Sequence, residues 1–356
     1  MHATPLPLFW RLPWLKPLND TTAWNNLLQT LNGTWSLTEV RARVVLRVQE
    51  CRDMVSLYLK PNRLFKGFCA GQYLSLTLPC NGVLTSRNFS ISNAPSKKGL
   101  IRLTFRVKND GRLTPLASAL KKGDTVRLSQ AGGDFGATDP TRGKLLLAAG
   151  SGITPMMAML QQWAAQTIRP NVVLLYSART PEQAVFRDEL QTLVHHWPEL
   201  RVHTHLSAAE GRLNAEELAQ RVPDFAERET LLCGPESFME TFAAFYRQQG
   251  LEAHLKQEHF QARKTVLQPD ATQFAVFNAE GQSAFNALQG QNLLEAAESD
   301  GLSPTHGCRR GICMSCQCKK LSGVVINQLT QTASDAGEAW IQLCVSTPAS
   351  DLHLEI

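Results

Sequence analysis

His306-Gly307-Cys308-Arg309-Arg310-Gly311-Ile312-Cys313-Met314-Ser315-Cys316 sets three cysteines at the spacing C-x4-C-x2-C, and Leu343-Cys344-Val345 offers a distant fourth. This is the spacing of 2Fe–2S loops. Three thiolates in one short loop can wrap a two-iron cluster. A fourth from elsewhere in the chain closes the cage. The small residues Gly307, Gly311 and Ser315 let backbone N–H groups reach the sulfides and offset the cluster's negative charge. Structural zinc usually pairs two short cysteine hooks, whereas this chain has one triple hook and one single. Cys308, Cys313, Cys316 and Cys344 are therefore the expected metal ligands. Cys318 lies in an expected strand beyond the loop and reads as a packed thiol. Cys51, Cys69 and Cys80 read as core or surface cysteines.

The rest of the chain gives that loop its context. Its 356 residues suggest two or three domains. A composition 43% hydrophobic and 19% charged supports packed cores. Nine cysteines, with no signal peptide readable in the first twenty residues, point to metal or redox chemistry in a cytoplasmic protein rather than to disulfides. The longest apolar stretch, 145–160, is broken by Gly150, Ser151, Gly152, Thr154 and Pro155, so no transmembrane segment is expected. The net charge is +5, yet from Asp270 onward nine acidic residues face four Lys and Arg. A basic body with an acidic tail unit suggests that the two face each other or face different partners. No basic stripe with interleaved aromatics appears, so a nucleic acid partner is not expected.

Residues 1–38 form an extension, with Trp10, Trp14, Trp24 and Trp35 among Leu and Pro. Asp20-Thr21-Thr22 is an expected cap for a short helix over 24–31. Two readings of the extension stay open: a cover packed on the next domain, or an element that touches lipid or a membrane-embedded partner. Between 39 and 140, short alternating strands at 44–48, 55–59, 73–78, 89–92, 101–107 and 125–128 predict an antiparallel barrel. Between 141 and 260 the period changes. Apolar strands at 145–149, 172–176, 201–206 and 230–233 alternate with helices at 155–165, 184–194, 215–222 and 237–249, which predicts a parallel sheet covered on both faces. Residues 261–270 read as a linker. The last unit, 271–356, holds a strand at 273–278, a helix at 293–299 and the cysteine loop.

Four further motifs carry chemistry. Arg87-Asn88-Phe89-Ser90 puts a cation and hydroxyls on one barrel strand. Thr114 opens an expected helix through Leu120, where free N–H groups favour an anion. Arg87 and that helix end together could hold a pyrophosphate. Gly150-Ser151-Gly152-Ile153-Thr154-Pro155 sits between the first parallel strand and its helix, where a tight turn brings backbone to a diphosphate. Cys233-Gly234-Pro235 ends the fourth strand, at the sheet edge where ligands bind.

Together, from about residue 39 to 260, these motifs resemble the ferredoxin–NADP reductase superfamily. Asp270 to the end resembles a plant-type ferredoxin of the β-grasp type. The resemblance implies a multidomain protein with an antiparallel flavin-binding β-barrel, a parallel-sheet nucleotide domain and a ferredoxin domain. It implies that Arg87, Phe89, Ser90 and Thr114 bind FAD, and that Phe260, in Glu258-His259-Phe260, lies near the flavin ring. Gly150, Gly152, Thr154, Pro155, Cys233, Gly234 and Pro235 would bind the nicotinamide nucleotide. Ser90 would hydrogen-bond near the reacting flavin nitrogen, and Cys233 would sit beside the nicotinamide; these two are the expected catalytic residues. Ser177 and Arg179 suit a 2′-phosphate, with no acidic residue in their positions, so NADPH is expected over NADH. The whole chain resembles bacterial three-part reductases, with the closest likeness to NAD(P)H oxidoreductases that serve membrane fatty-acid desaturases. The expected acceptor is thus a membrane di-iron desaturase or hydroxylase, reached by peripheral contact at the inner face of the membrane. Reductases of aromatic-ring dioxygenases or of hybrid-cluster proteins share the architecture. A redox sensor using the cluster as a switch is a third reading, which leaves the nucleotide motifs unexplained.

Overall fold

The computed structural model describes residues 21–80, 83–136, 142–260, 271–307, 309, 311, 314–330 and 332–356. Trp10, Trp14, Cys308, Cys313 and the linker at 261–270 lie outside the described residues. Helix α1 (Thr21–Leu31) precedes a six-stranded antiparallel sheet of β1 (Val40–Cys51), β2 (Met54–Pro61), β3 (Tyr73–Cys80), β4 (Val83–Ser90), β5 (Ile101–Arg106) and β6 (Thr125–Leu128). The strand order is β4-β3-β6-β1-β2-β5, and an Ile91–Leu103 bridge brings the two ends together into the expected barrel. The alternation that marks β1 in the sequence is the alternation of its side chains: Val40, Ala42 and Val44 are buried, while Arg41 and Arg43 point outward.

Helix α2 (Thr114–Ala119) has six residues, and its N-cap is Leu113 rather than Thr114. The Thr114 hydroxyl instead accepts the Lys108 N–H at 3.1 Å. Thr114 thus opens the helix as expected, Pro115 follows it in the first turn, and no side chain caps that end.

The second unit runs β7 (Lys144–Ala149), α3 (Ile153–Ala164), β8 (Val172–Ala178), α4 (Arg187–His196), β9 (Leu200–Leu206), α5 (Ser207–Glu210), α6 (Ala215–Arg221), β10 (Glu229–Cys233), α7 (Glu236–Gln248) and β11 (Leu255–Glu258). Its five parallel strands lie in the order β11-β10-β7-β8-β9. The central strands are apolar because both faces are covered: β7 is buried along its whole length. Strand β11 is absent from the sequence expectations because an edge strand written Leu-Lys-Gln-Glu carries no apolar pattern. The order of the strands reverses between β7 and β10, so their carboxyl ends, Ala149 and Cys233, frame a crevice.

The third unit contains β12 (Gln273–Phe277), β13 (Ser283–Leu288), α8 (Leu293–Ser299), β14 (Gln317–Ser322), β15 (Val325–Asn327), β16 (Ala339–Gln342), β17 (Ser346–Pro348) and β18 (Leu352–Leu354). A mixed sheet, β13-β12-β18-β14-β16, is covered by α8 through Leu293, Leu294, Ala296 and Ala297. No described helix is long and apolar enough to cross a membrane.

Two ion pairs with buried cations brace the first two units. Arg102 on β5 is 2% exposed and reaches Glu189 on α4 at 2.5 Å, with its guanidinium 4.4 Å from the Phe186 ring. Ala94 and Ala70 also donate their N–H groups to Gln161 and Gln162 of α3, at 3.0 and 3.3 Å. The barrel and the parallel sheet are thus joined through α3 and α4. At the opposite end of the sheet from the crevice, buried Glu229 accepts from Lys144 at 2.9 Å and from Lys256 at 3.2 Å. Glu229→Gln would leave Lys144 uncompensated in the interior, which costs about 3–5 kcal/mol. We expect a clear drop in the melting temperature of the holoenzyme with unchanged kcat below the transition. An unaltered melt would show that the pair contributes nothing.

Candidate functional site

The site assembles at the β7–β10 crevice. After Ala149 the chain turns through Gly150-Ser151-Gly152 into α3, with Gly150 at φ +54°. Gly152 lies against the end of β10: a Cβ there would meet the Cys233 carbonyl oxygen at 2.0 Å. Gly234 is equally confined, since its Cβ would stand 3.1 Å from that of Ala149. Buried Thr154 donates its hydroxyl to the Ser151 carbonyl at 2.8 Å and fixes the turn. Pro155 is buried in the first turn of α3, and Pro235 is the N-cap of α7. Cys233 is fully buried and pairs in register with Glu258 on β11.

Glu258 brings the barrel into the crevice. Its buried carboxylate accepts a hydrogen bond from Ser90 at 3.0 Å, across 168 residues of sequence. Ser90, Cys233, Glu258 and the Gly150–Pro155 turn therefore meet in one place. Glu258 was legible only as part of a terminal motif, and its contact with Ser90 was not. Phe260, two residues on, has about a third of its surface exposed.

Beside this cluster a cavity of about 280 Å³ is lined by Arg106, Ser177, Arg179 and Arg212, with Gly150 and Pro235 at its floor. No carboxylate lines it. Arg106 pairs with Asp53 at 3.0 Å, outside the lining, while Arg179 and Arg212 make no ion pair among the described residues. Of these lining side chains, Ser177 and Arg179 are the two that the sequence singles out. Arg106 and Arg212 were missed. Arg106 is on a barrel strand, and Arg212 follows Gly211 in a loop with no motif; only its position after the carboxyl end of β9 hinted at a ligand. A larger cavity of about 680 Å³, between α4 and β9, is lined by Val194, Val202 and Leu206 and holds none of these residues.

On the other side of β4, Arg87 is half-buried, donates to the Ser86 carbonyl at 2.9 Å and makes no ion pair among the described residues. Its neighbour Asn88 holds a buried Nδ2 with no partner. The Arg87 guanidinium fits an anionic cofactor on the barrel, whereas Asn88, the next residue along the strand, points to the opposite face. The Phe89 ring packs on Phe105 at 5.0 Å between centroids. Burial pushes the Arg87 pKa down, Arg309 pushes it further, and Glu298 opposes both. The iron–sulfur loop thus faces the strand that carries Arg87.

Buried Cys316 of that loop and buried Cys344, between β16 and β17, stand 3.2 Å apart, sulfur to sulfur. Gly311 donates its N–H to the Cys344 sulfur at 3.3 Å. Gly311 has φ +72°, and a Cβ there would meet Leu329 and Val345 at 2.8–3.0 Å. Arg309 and Met314 also adopt positive φ. Arg309 forms a two-pronged pair with Glu298 of α8, which anchors the loop. Two thiolates close enough to share one metal, with a backbone N–H aimed at sulfur, fit a cluster. Cys318 is a packed thiol as expected, its pKa pushed up to about 11 by burial.

Comparison with known proteins agrees with this geometry. Residues 42–136 match the oxidoreductase FAD-binding domain, 146–244 the oxidoreductase NAD-binding domain, and 277–349 the 2Fe-2S iron-sulfur cluster binding domain. An NADPH oxidoreductase of Mycobacterium tuberculosis is 32% identical over 93% of this chain and 88% of its own. NADH oxidoreductase HCR of Escherichia coli is 34% identical, covering 80% of this chain and 88% of that one. A glycine betaine monooxygenase reductase subunit of Chromohalobacter salexigens is 27% identical over 90% and 96%. Among solved structures, phthalate dioxygenase reductase has the same fold, with a TM-score of 0.62 at 24% identity over 90% of this chain and 98% of that one.

Proposed function

Because the chain belongs to the ferredoxin–NADP reductase family whose members carry FAD, NAD and 2Fe–2S domains, we propose that it takes electrons from NADPH and delivers them to the oxygenase component of a two-part oxygenase. It is an oxidoreductase with FAD- and NAD-binding domains and a 2Fe–2S domain. The residues that would hold a nicotinamide, a flavin and a cluster would supply, with those groups bound, the conversion of a two-electron donor into one-electron carriers.

The residues of the chain do the positioning. Ser90, held by Glu258, keeps its hydroxyl at the crevice where the flavin and nicotinamide rings would meet. The Gly150–Pro155 turn and Gly234 let backbone approach a diphosphate. Buried Cys233 forms the wall on which the nicotinamide would rest. Arg87 would hold the flavin's pyrophosphate on the barrel. Cys308, Cys313, Cys316 and Cys344 would ligate the iron.

The observation that carries the reading is the arginine-lined cavity next to the Ser90–Glu258–Cys233 cluster. Arg179 and Arg212, which make no ion pair among the described residues, beside Arg106, which is held by Asp53, suit a nucleotide with an extra phosphate. Arg212→Ala should weaken NADPH more than NADH. A charge-assisted hydrogen bond is worth about 1.5–3 kcal/mol, or about one to two powers of ten in affinity. Steady-state kinetics with both nucleotides decide it, and equal effects would remove the NADPH assignment. The relative named as a monooxygenase reductase subunit supports an oxygenase acceptor. It gives no support to the membrane desaturase acceptor expected from the sequence, and the oxygenase alternative is the closer reading.

A further inference from the structure

Helix α1 sits on the barrel the wrong way round for a helix that only packs. Its buried position is polar: Asn25, 7% exposed, donates to Thr38 at 2.8 Å and accepts from the Ser36 hydroxyl and the Leu37 N–H at 3.0 and 2.8 Å. Its apolar residues lie outside. Leu27 is 52% and Leu31 70% exposed, and in the segment that follows Trp35 and Leu37 are 51% and 54% exposed. The helix, Thr-Thr-Ala-Trp-Asn-Asn-Leu-Leu-Gln-Thr-Leu, has no charged residue. The helix is thus tied to the segment before the barrel by hydrogen bonds, while Leu27, Leu31, Trp35 and Leu37 face away.

The rim of this face is cationic. Arg43 donates to Asn32, just past the end of α1, at 2.8 Å and to the Gly123 carbonyl at 3.2 Å. It thereby ties the exposed Lys121-Lys122 turn to the helix end. Arg41 donates to the Gly33 carbonyl at 2.6 Å. Of the acids nearby, Glu39 is paired with Arg41 and Arg127, and Asp124, which accepts the Lys121 N–H, keeps its charge but is outnumbered by Arg43, Lys121 and Lys122. Exposed Leu and Trp beside Lys and Arg, on an uncharged helix, are the composition of an interfacial element: apolar side chains enter the acyl boundary while long cationic ones reach anionic headgroups.

We propose that α1, with Trp35, Leu37 and the 121–122 turn, is a peripheral docking surface for an anionic lipid bilayer. The cationic excess of the rim, with Arg43, Lys121 and Lys122 outnumbering Asp124, complements anionic headgroups, and this favours lipid as the occupant.

The test is flotation of the flavin-loaded full chain with vesicles. Vesicles of phosphatidylcholine doped with phosphatidylglycerol should carry the protein at low salt, and pure phosphatidylcholine should carry much less. Leu27→Ser combined with Leu31→Ser should lower the bound fraction about tenfold or more. Lys121→Glu with Lys122→Glu should weaken binding to the doped vesicles only. Flavin content and dye reduction should be unchanged in both variants, which shows them to be folded. Absence of binding to the doped vesicles, or equal binding by the leucine variant, overturns the proposal. So does a leucine variant that loses electron transfer to a soluble oxygenase component in lipid-free buffer, because the face would then dock protein.

Discussion

Cys344→Ser is expected to abolish the cluster's visible and paramagnetic signals while NADPH-dependent dye reduction continues within about twofold. Soft thiolates select iron–sulfur clusters, and a hydroxyl is a poor substitute. The Cys344 sulfur is buried, faces Cys316 at 3.2 Å and receives the Gly311 N–H, so no water can take its place. Its loss leaves the barrel and the crevice untouched, because neither draws a residue from the third unit: Ser90, Glu258, Cys233 and the arginine cavity all precede residue 261. A dye that accepts electrons from flavin directly should therefore still be reduced, whereas transfer to a one-electron protein acceptor should fall to background. Retention of the cluster would show that Cys344 is no ligand. Loss of flavin along with the cluster would show that the third unit is needed to build the barrel site.

Gly152→Ala should have the second largest effect. The added methyl would lie 2.0 Å from the Cys233 carbonyl oxygen and 2.9 Å from the Gly234 nitrogen. Both are backbone atoms, so no side chain can swing aside. The turn must move away from β10, and the Gly150–Pro155 loop moves with it. A displacement near 1 Å in a reacting geometry costs about a hundredfold in rate. The expected result is kcat/KM for NADPH down by that order, with normal flavin content and a lower melting temperature. A variant with wild-type kinetics would mean that the loop is not part of the nucleotide site.

The units and most of their elements were legible because the hydrophobic period changes twice along the chain. The six barrel strands and the first four parallel strands follow from it, and the helix at 293–299 is where the sequence puts it. What stayed hidden depends on pairing between distant residues. Strand β11 is polar because it is an edge, so only its register with β10 reveals it. Glu258 is one carboxylate among many until the fold brings Ser90 to it. Arg106 and Arg212 come from a barrel strand and a loop, and no linear spacing links them. Thr114 opens α2 as its motif suggests, but that its hydroxyl accepts from the Lys108 N–H rather than capping the helix is a contact no linear spacing shows.

Arg102 limits how this architecture can be recombined. Its guanidinium lies inside the joint between the barrel and α4, and Glu189 is its counter-charge. A nucleotide module taken from a relative to change coenzyme preference would have to bring an acid at that position of α4. Without one, the graft would bury an unpaired cation, a penalty large enough to unfold a marginal chimera. Shuffling that keeps the barrel and the parallel sheet as one inherited block avoids the problem, and the coenzyme is then better altered by point changes at the rim of the crevice.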